Sequence, residues 1–261
     1  MPKLEDASFR EDLFQIGGVR IHVRRAGSGE PLLWLHGAGG VFRVDPFFEA
    51  LAEKYSVYLI DQPGFGRSER PGWLRDYSDL NYFYRDFLAH FDLDSVNLVG
   101  HSLGGRTALE FAISHPQNVR KLVLIAPGGQ FIEGVSRPDV FILSPEQRTR
   151  LLFHDQKLAD QALARSLSDE EHEMVAKNMA THARLDWERP YNPRFPRLLR
   201  YVNAPTRIIW GADDEVIPLA HGEAYATHIS GSELKVIPDC GHLPQVEQKD
   251  ACLDLIDEFL G

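Results

Sequence analysis

Gly100-His101-Ser102-Leu103-Gly104-Gly105 decides how this chain is read. It follows the apolar run Ser95-Val96-Asn97-Leu98-Val99 and precedes the helix-like run Thr107-Ala108-Leu109-Glu110-Phe111-Ala112. A serine with glycine two residues away on either side, set between a strand and a helix, is the pattern of a sharp nucleophile-bearing turn. Such a turn strains the serine backbone, and glycines at 100 and 104 spare the neighbouring strand and helix a collision. The hydroxyl then stands clear of the sheet at the positive end of a helix. Negative charge developing on an attacked carbonyl is stabilised there.

Working outward, residues 13–16 and 19–23 flank Gly17-Gly18 as a hairpin. Residues 31–35 and 57–60 are continuous apolar runs suited to strands buried on both faces. Residues 47–55 and 80–91 have helical spacing, and 119–126 reads as a further strand. Alternation of this kind implies a mainly parallel central sheet with helices on both faces. The rhythm breaks after Gly129. Residues 145–153, 158–167 and 169–183 read as helices, the last opened by Ser168 as N-cap with Glu171 completing a capping box. Strand rhythm resumes at 206–210, followed by a helix at 218–228, a strand at 233–237 and a helix at 251–260. The expected organisation is an α/β core of residues 1–129 and 204–261, interrupted by a helical cap over 130–203.

The length of 261 residues is ample for one such core with an insertion. A net charge of −10 argues against a nucleic-acid partner. Cys240 and Cys252 form no CxxC motif and no disulfide framework. Residues 1–6 are too polar for a secretory signal, and no apolar run reaches membrane-spanning length. A cytoplasmic protein without a membrane partner is the expectation. The histidines include no HExxH pair or other metal-ligand spacing, and Phe42 breaks any GxGxxG reading from Gly37. Neither a metal nor a cofactor is expected.

A serine hydroxyl is a poor nucleophile near neutral pH and needs a base, which in turn needs an orienting acid. Candidates belong in loops at the carboxyl ends of strands, which face one crevice in an open parallel sheet. Asp213-Asp214-Glu215 follows the strand at 206–210, and His242 follows the strand at 233–237. The resulting order is serine, acid, histidine.

These motifs, with His36-Gly37-Ala38-Gly39, Asp61-Gln62-Pro63-Gly64-Phe65-Gly66-Arg67-Ser68 and Gly241-His242-Leu243-Pro244, resemble the α/β-hydrolase superfamily over nearly the whole chain outside the cap. The resemblance implies the α/β-hydrolase fold, with Ser102 as nucleophile and His242 as general base. It selects Asp214 as the acid, with Asp213 as runner-up, and implies an oxyanion hole from the backbone amides of Leu103 and Ala38. It gives Asp61, Arg67 and Ser68 a mainly structural turn. Serine at 102 separates the chain from epoxide hydrolases and dehalogenases, which carry aspartate there.

The favoured activity at this level is hydrolysis of a small to medium carboxylic ester through an acyl-enzyme. The rival is a carbon–carbon bond hydrolase of aromatic ring-cleavage products. Such enzymes often carry asparagine before the nucleophile and tryptophan after the catalytic histidine, where this chain has His101 and Leu243. A non-catalytic ligand-binding protein on the same fold is a third reading. His36, Gly37, His101, Phe131, Phe141, Trp187 and Leu243 are candidate pocket residues. The competing expectation makes His36 a structural hydrogen-bonding residue, packs His101, and has the aromatics fasten the cap to the core. Arg184 and Arg189 are candidates for a substrate carboxylate, against surface solvation.

Overall fold

The computed structural model describes residues 9–261. Residues 1–6, read above as unlike a secretory signal, lie outside that span. The strands are β1 (Arg10–Ile16), β2 (Val19–Ala26), β3 (Pro31–Leu35), β4 (Ser56–Ile60), β5 (Val96–His101), β6 (Val119–Ile125), β7 (Thr206–Gly211) and β8 (Glu233–Ile237). They form one sheet in the order β1-β2-β4-β3-β5-β6-β7-β8. β2 runs antiparallel to both β1 and β4, and every other pair is parallel. The helices are α1 (Pro46–Ala52), α2 (Tyr77–His90), α3 (Leu103–Ser114), α4 (Pro145–Leu152), α5 (Gln156–Ala164), α6 (Asp169–Asp186), α7 (Phe195–Leu198), α8 (Ala220–His228), α9 (Pro244–Glu247) and α10 (Lys249–Leu260).

Period-two alternation sends each central strand's side chains into two cores. Leu33, Leu35, Leu98, Leu122, Leu124, Ile208 and Trp210 join α2, α3 and α8 on one face. Leu32, Trp34, Val99, Val123, Ile125 and Ile209 join α1 and α10 on the other. Each fully buried side chain of this size contributes roughly 1.5–3 kcal/mol, so both faces must be covered. This explains why the strands read as unbroken apolar runs rather than alternating ones.

The helix starts follow local chemistry. Asp45 caps α1 with Pro46 at its first position, and reciprocal capping boxes open α2 (Asp76, Asp79), α4 (Ser144, Gln147) and α6 (Ser168, Glu171). Several boundaries differ from the sequence expectation. α1 stops at Ala52 rather than 55, because Glu53, Lys54 and Tyr55 turn to meet the strand ahead. α2 begins three residues earlier, at its Asp76 cap. α6 runs to Asp186 with Trp187 as its C-cap, and α5 ends at Ala164 rather than 167.

Between β6 and β7 the described residues form α4 to α7 and no strand, only an isolated bridge of Gly129 with Tyr191. One face of α6 grips two loops at the carboxyl ends of β3 and β4. Asn178 Nδ2 donates to Gly39 O at 2.8 Å, and Asn178 Oδ1 accepts from the Gly66 amide at 2.8 Å. Thr181 Oγ1 donates to Gly64 O at 2.7 Å, and Lys177 Nζ to Gly66 O at 3.0 Å.

The Asp61 turn is held by a buried ion cluster. Asp61 faces His22 Nδ1 at 3.0 Å and Arg24 at 3.4 Å, and accepts from the Arg67 amide at 2.9 Å. The Asp61 and Arg24 side chains are 1% and 2% exposed. Burial alone would raise the Asp61 pKa, but the His22 hydrogen bond and the Arg24 charge hold it below the ordinary carboxylate value. A lowered folded pKa contributes stability above the unfolded value, about pH 4, that is lost as pH falls through the folded one. Asp61→Ala leaves the buried Arg24 only the half-exposed Glu11, 3.6 Å away, and is expected to cost roughly 3 kcal/mol in urea unfolding. A change below about 0.5 kcal/mol would remove this cluster from the account of stability.

Candidate active site

The strand order reverses around β3, whose neighbours β4 and β5 carry the chain away on opposite sides. A crevice opens at the carboxyl ends of strands at such a point. Ser102 stands there, directly after β5 and at the N-cap of α3, with φ 54° and ψ −115°. This left-handed geometry is costly for serine and is enforced from several sides. The Ser102 amide donates to Ile125 O at 2.9 Å, and its carbonyl accepts from the Arg106 and Gly128 amides, both at 3.0 Å. A Cβ on Gly104 would lie 2.1 Å from Leu35 O, and one on Gly100 2.5 Å from Gly104 O. Only glycine lets the helix press this closely on the sheet.

Three loops then meet. Ser102 Oγ lies 2.9 Å from His242 Nε2, and His242 Nδ1 lies 2.7 Å from Asp214 Oδ2. The imidazole and carboxylate are 3% and 0% exposed. Asp214 Oδ1 accepts from the Val216 and Ile217 amides at 2.9 and 2.8 Å, which fixes the carboxylate plane. With the imidazole proton on Nδ1, where Asp214 receives it, Nε2 is free to accept the hydroxyl proton. Asp213 points outward instead. Its carboxylate meets His154 Nδ1 at 3.1 Å and lines an outer cleft of about 570 Å³ with Phe153 and Glu215.

Leu103 and Ala38 carry the two amides expected to receive an oxyanion. Leu103 opens α3, so its N–H has no acceptor within the helix. Ala38 is the second residue of a turn closed by the Gly40 amide on Gly37 O at 3.0 Å. Gly37 packs directly on the nucleophile turn, where an added Cβ would come within 3.2 Å of Ser102 Cβ. Among the described residues neither amide donates to a protein acceptor.

The candidate pocket residues separate into two groups. His36 is not a pocket wall. It is 1% exposed; its Nδ1 lies 2.7 Å from Gly37 O, and its Nε2 accepts from the Gln62 amide at 3.1 Å. Both ring nitrogens are spent on holding loops together, and burial lowers its pKa. His101 is packed as well. It donates from Nε2 to the His242 carbonyl at 2.9 Å, and burial, then the proximity of His242, pull its pKa down to about 3. His101 thus stays neutral while charge develops on His242, and it steadies the histidine loop. Leu243 is half-buried next to the imidazole and leads into α9.

Phe131 and Trp187 are 61% and 65% exposed, so neither is a wall of an enclosed pocket. Each leans on a partner at the surface: Phe131 on Tyr191 at 5.1 Å, and Trp187 on the half-buried Phe141 at 5.5 Å. Their position at the ends of irregular segments turns one ring face to solvent. Arg184 is committed to Leu74 O at 2.6 Å, and Arg189 is exposed. His154, Asp213 and Asp239 are the described residues whose atoms could share an ion, but all three are exposed and outside the relay. They read as surface ion pairing. Sequence reasoning missed Asn178, although Met174, Asn178, Thr181 and Leu185 share one helical stripe and all are buried. It also missed Arg137.

A family profile described as the alpha/beta hydrolase fold matches residues 30–184 and 146–249. A 2-hydroxy-6-oxononadienedioate/2-hydroxy-6-oxononatrienedioate hydrolase of Klebsiella pneumoniae subsp. pneumoniae is 30% identical, over 99% of this chain and 98% of the relative. An Escherichia coli hydrolase of the same description is 31% identical over 93% of this chain and 91% of its own. Among solved structures, a 2-hydroxy-6-oxo-6-phenylhexa-2,4-dienoate hydrolase from Rhodococcus sp. strain RHA1 superposes with a TM-score of 0.79, covering 97% of this chain and 98% of that one. At 22% identity that likeness speaks to the fold. No described helix is long and apolar enough to cross a membrane.

Proposed function

This chain belongs to the alpha/beta hydrolase fold family, and on that premise we propose that it hydrolyses a carbon–carbon bond in a 2-hydroxy-6-oxo dienoic acid. The observation that carries this reading is the pair of relatives, 30% and 31% identical over nearly their full lengths, that are hydrolases of such dienedioates. It displaces the ester reading that His101 and Leu243 favoured. His101 weighs little against it, because its ring is buried and spends Nε2 on the His242 carbonyl.

In this mechanism Ser102 Oγ attacks the ketone carbon while His242 Nε2 takes its proton. Asp214 stabilises the imidazolium that results. The oxyanion is received by the Leu103 and Ala38 amides, a donor pair whose members contribute about 3 kcal/mol each. An ester would then expel an alkoxide. Here the leaving atom is carbon, so its electron pair must be delocalised. Transfer of the 2-hydroxyl proton to the chain carbon beside the ketone gives a 2-oxo-3-enoic acid, whose enone can receive the electron pair released at that carbon. Collapse of the oxyanion then restores the carbonyl, leaving the acyl group on Ser102, and breaks the carbon–carbon bond. The electron pair passes into a dienolate, which takes the proton held by His242 and leaves as a 2-hydroxydienoate. Water, deprotonated by His242, releases the acyl group as a carboxylic acid. The helical segment between β6 and β7 serves as the cap that shapes the substrate space.

The test is a direct comparison of kcat/KM for 2-hydroxy-6-oxonona-2,4-diene-1,9-dioate and for p-nitrophenyl acetate, following loss of the dienol absorbance in one case and release of p-nitrophenolate in the other. The expected preference for the dienedioate is on the order of a hundredfold or more. The reverse ranking would return the site to ester hydrolysis.

A further inference from the structure

Most arginines withdrawn from water in this protein face an anion. Arg24 meets Asp61 at 3.4 Å, Arg106 meets Asp186 at 2.7 Å, and Arg207 meets Glu233 at 2.6 Å. Arg137 is the exception. Among the described residues its guanidinium makes no hydrogen bond and no ion pair, and its Nε is shut from solvent without a partner. Burial pulls its pKa down, as expected of an uncompensated cation, yet a guanidinium stays charged at any working pH.

Its position gives the unpaired charge a purpose. Arg137 stands in the segment that leaves β6 past Gly128, whose amide holds the Ser102 carbonyl at 3.0 Å and whose own carbonyl accepts from Tyr225 Oη at 2.6 Å. It lies within electrostatic range of Asp214, Asp186, Tyr225 and His221. Neither nearby carboxylate is available to it. Asp214 is spent on His242 and two amides, and Asp186 on Arg106 and Tyr77. The fold therefore holds a half-buried planar donor fork, its Nε closed to solvent, within electrostatic range of Asp214 and supplies no anion for it. A fork of this shape matches a carboxylate with two parallel hydrogen bonds.

We propose that Arg137 is the receptor for a substrate carboxylate, anchoring the acid so that its ketone reaches Ser102. The identity of that acid rests on the dienoate reading; the anion site itself does not. Arg184 and Arg189, which the sequence alone offers for this task, are bound to a carbonyl or open to solvent.

The experiment has two arms. In the first, calorimetry measures binding of adipate, an inert linear dicarboxylate, to the whole protein and to Arg137→Gln. Loss of a charge-assisted pair should weaken binding roughly ten- to a hundredfold, with Arg137→Lys recovering part of it because the charge remains. In the second arm, kcat/KM for the dienedioate should fall by a similar factor, carried by KM rather than kcat. Thermal melting checks that Arg137→Gln folds; the change removes a charge without orphaning an anion, so no loss of stability is expected. Equal adipate affinity in the two proteins, or no adipate binding to the unaltered one, overturns the proposal. A wild-type protein that binds adipate through Arg137 but leaves the dienedioate intact would defeat the dienoate reading alone.

Discussion

Ser102→Ala should reduce turnover of the dienedioate by on the order of a millionfold, with the protein still folded. The size of the effect follows from the geometry. The hydroxyl is 2.9 Å from the imidazole nitrogen that would take its proton, and it is held there by a backbone at φ 54° that the surrounding strands and glycines enforce. Alanine keeps the turn and both flanking amides and removes only the attacking atom. What survives is the contribution of substrate binding and of the oxyanion donors, which in hydrolases of this logic is far smaller than the whole. The alanine protein should also retain dienedioate affinity near that of the unaltered chain. Residual turnover within a hundredfold of wild type would mean that another group, or an activated water, attacks the carbonyl.

Asp214→Asn is the second large effect, about ten-thousandfold in kcat. The substitution preserves shape, and the Val216 and Ile217 amides at 2.9 and 2.8 Å can still hold a side-chain oxygen in place. The amide nitrogen would then face His242 Nδ1 and donate to it. That bond fixes the wrong tautomer, with the proton on Nε2 pointing at Ser102, and the base can no longer accept. Asp213→Asn is the matched control. Its carboxylate lies in the outer cleft against His154, so a kcat within about threefold of wild type is expected for a surface pair. Equal losses from the two substitutions would dissolve the distinction between inward and outward carboxylates.

The core was legible because its signals are local. Unbroken apolar runs marked β3 and β4, serine between spaced glycines marked the turn after β5, and Ser168 with Glu171 marked the start of α6. The order of serine, acid and histidine was legible too, since each follows a strand at its carboxyl end. The parts that escaped depend on contacts distant in sequence. Asn178 reads as one polar residue on a helix, yet it clasps Gly39 across 139 positions. Arg137 lies in an aperiodic segment where nothing in the sequence distinguishes a half-buried, unpaired guanidinium from a solvated one. Phe131 and Trp187 have the composition of pocket residues, but composition does not say which side of an irregular segment faces water, and both face it. His36 and His101 differ from His242 only in their partners. His36 and His101 bond to backbone groups, and His242 meets a hydroxyl and a carboxylate.

Peptide-resolved mass spectrometry after treatment with a fluorophosphonate probes the nucleophile itself, because the reagent adds covalently to a serine oxygen only where an adjacent base makes it reactive. One adduct per chain, located on Ser102, formed in step with loss of dienedioate turnover and abolished in His242→Ala, is what this account requires. Full turnover with Ser102 unmodified, or inactivation through an adduct on some other residue, would contradict it.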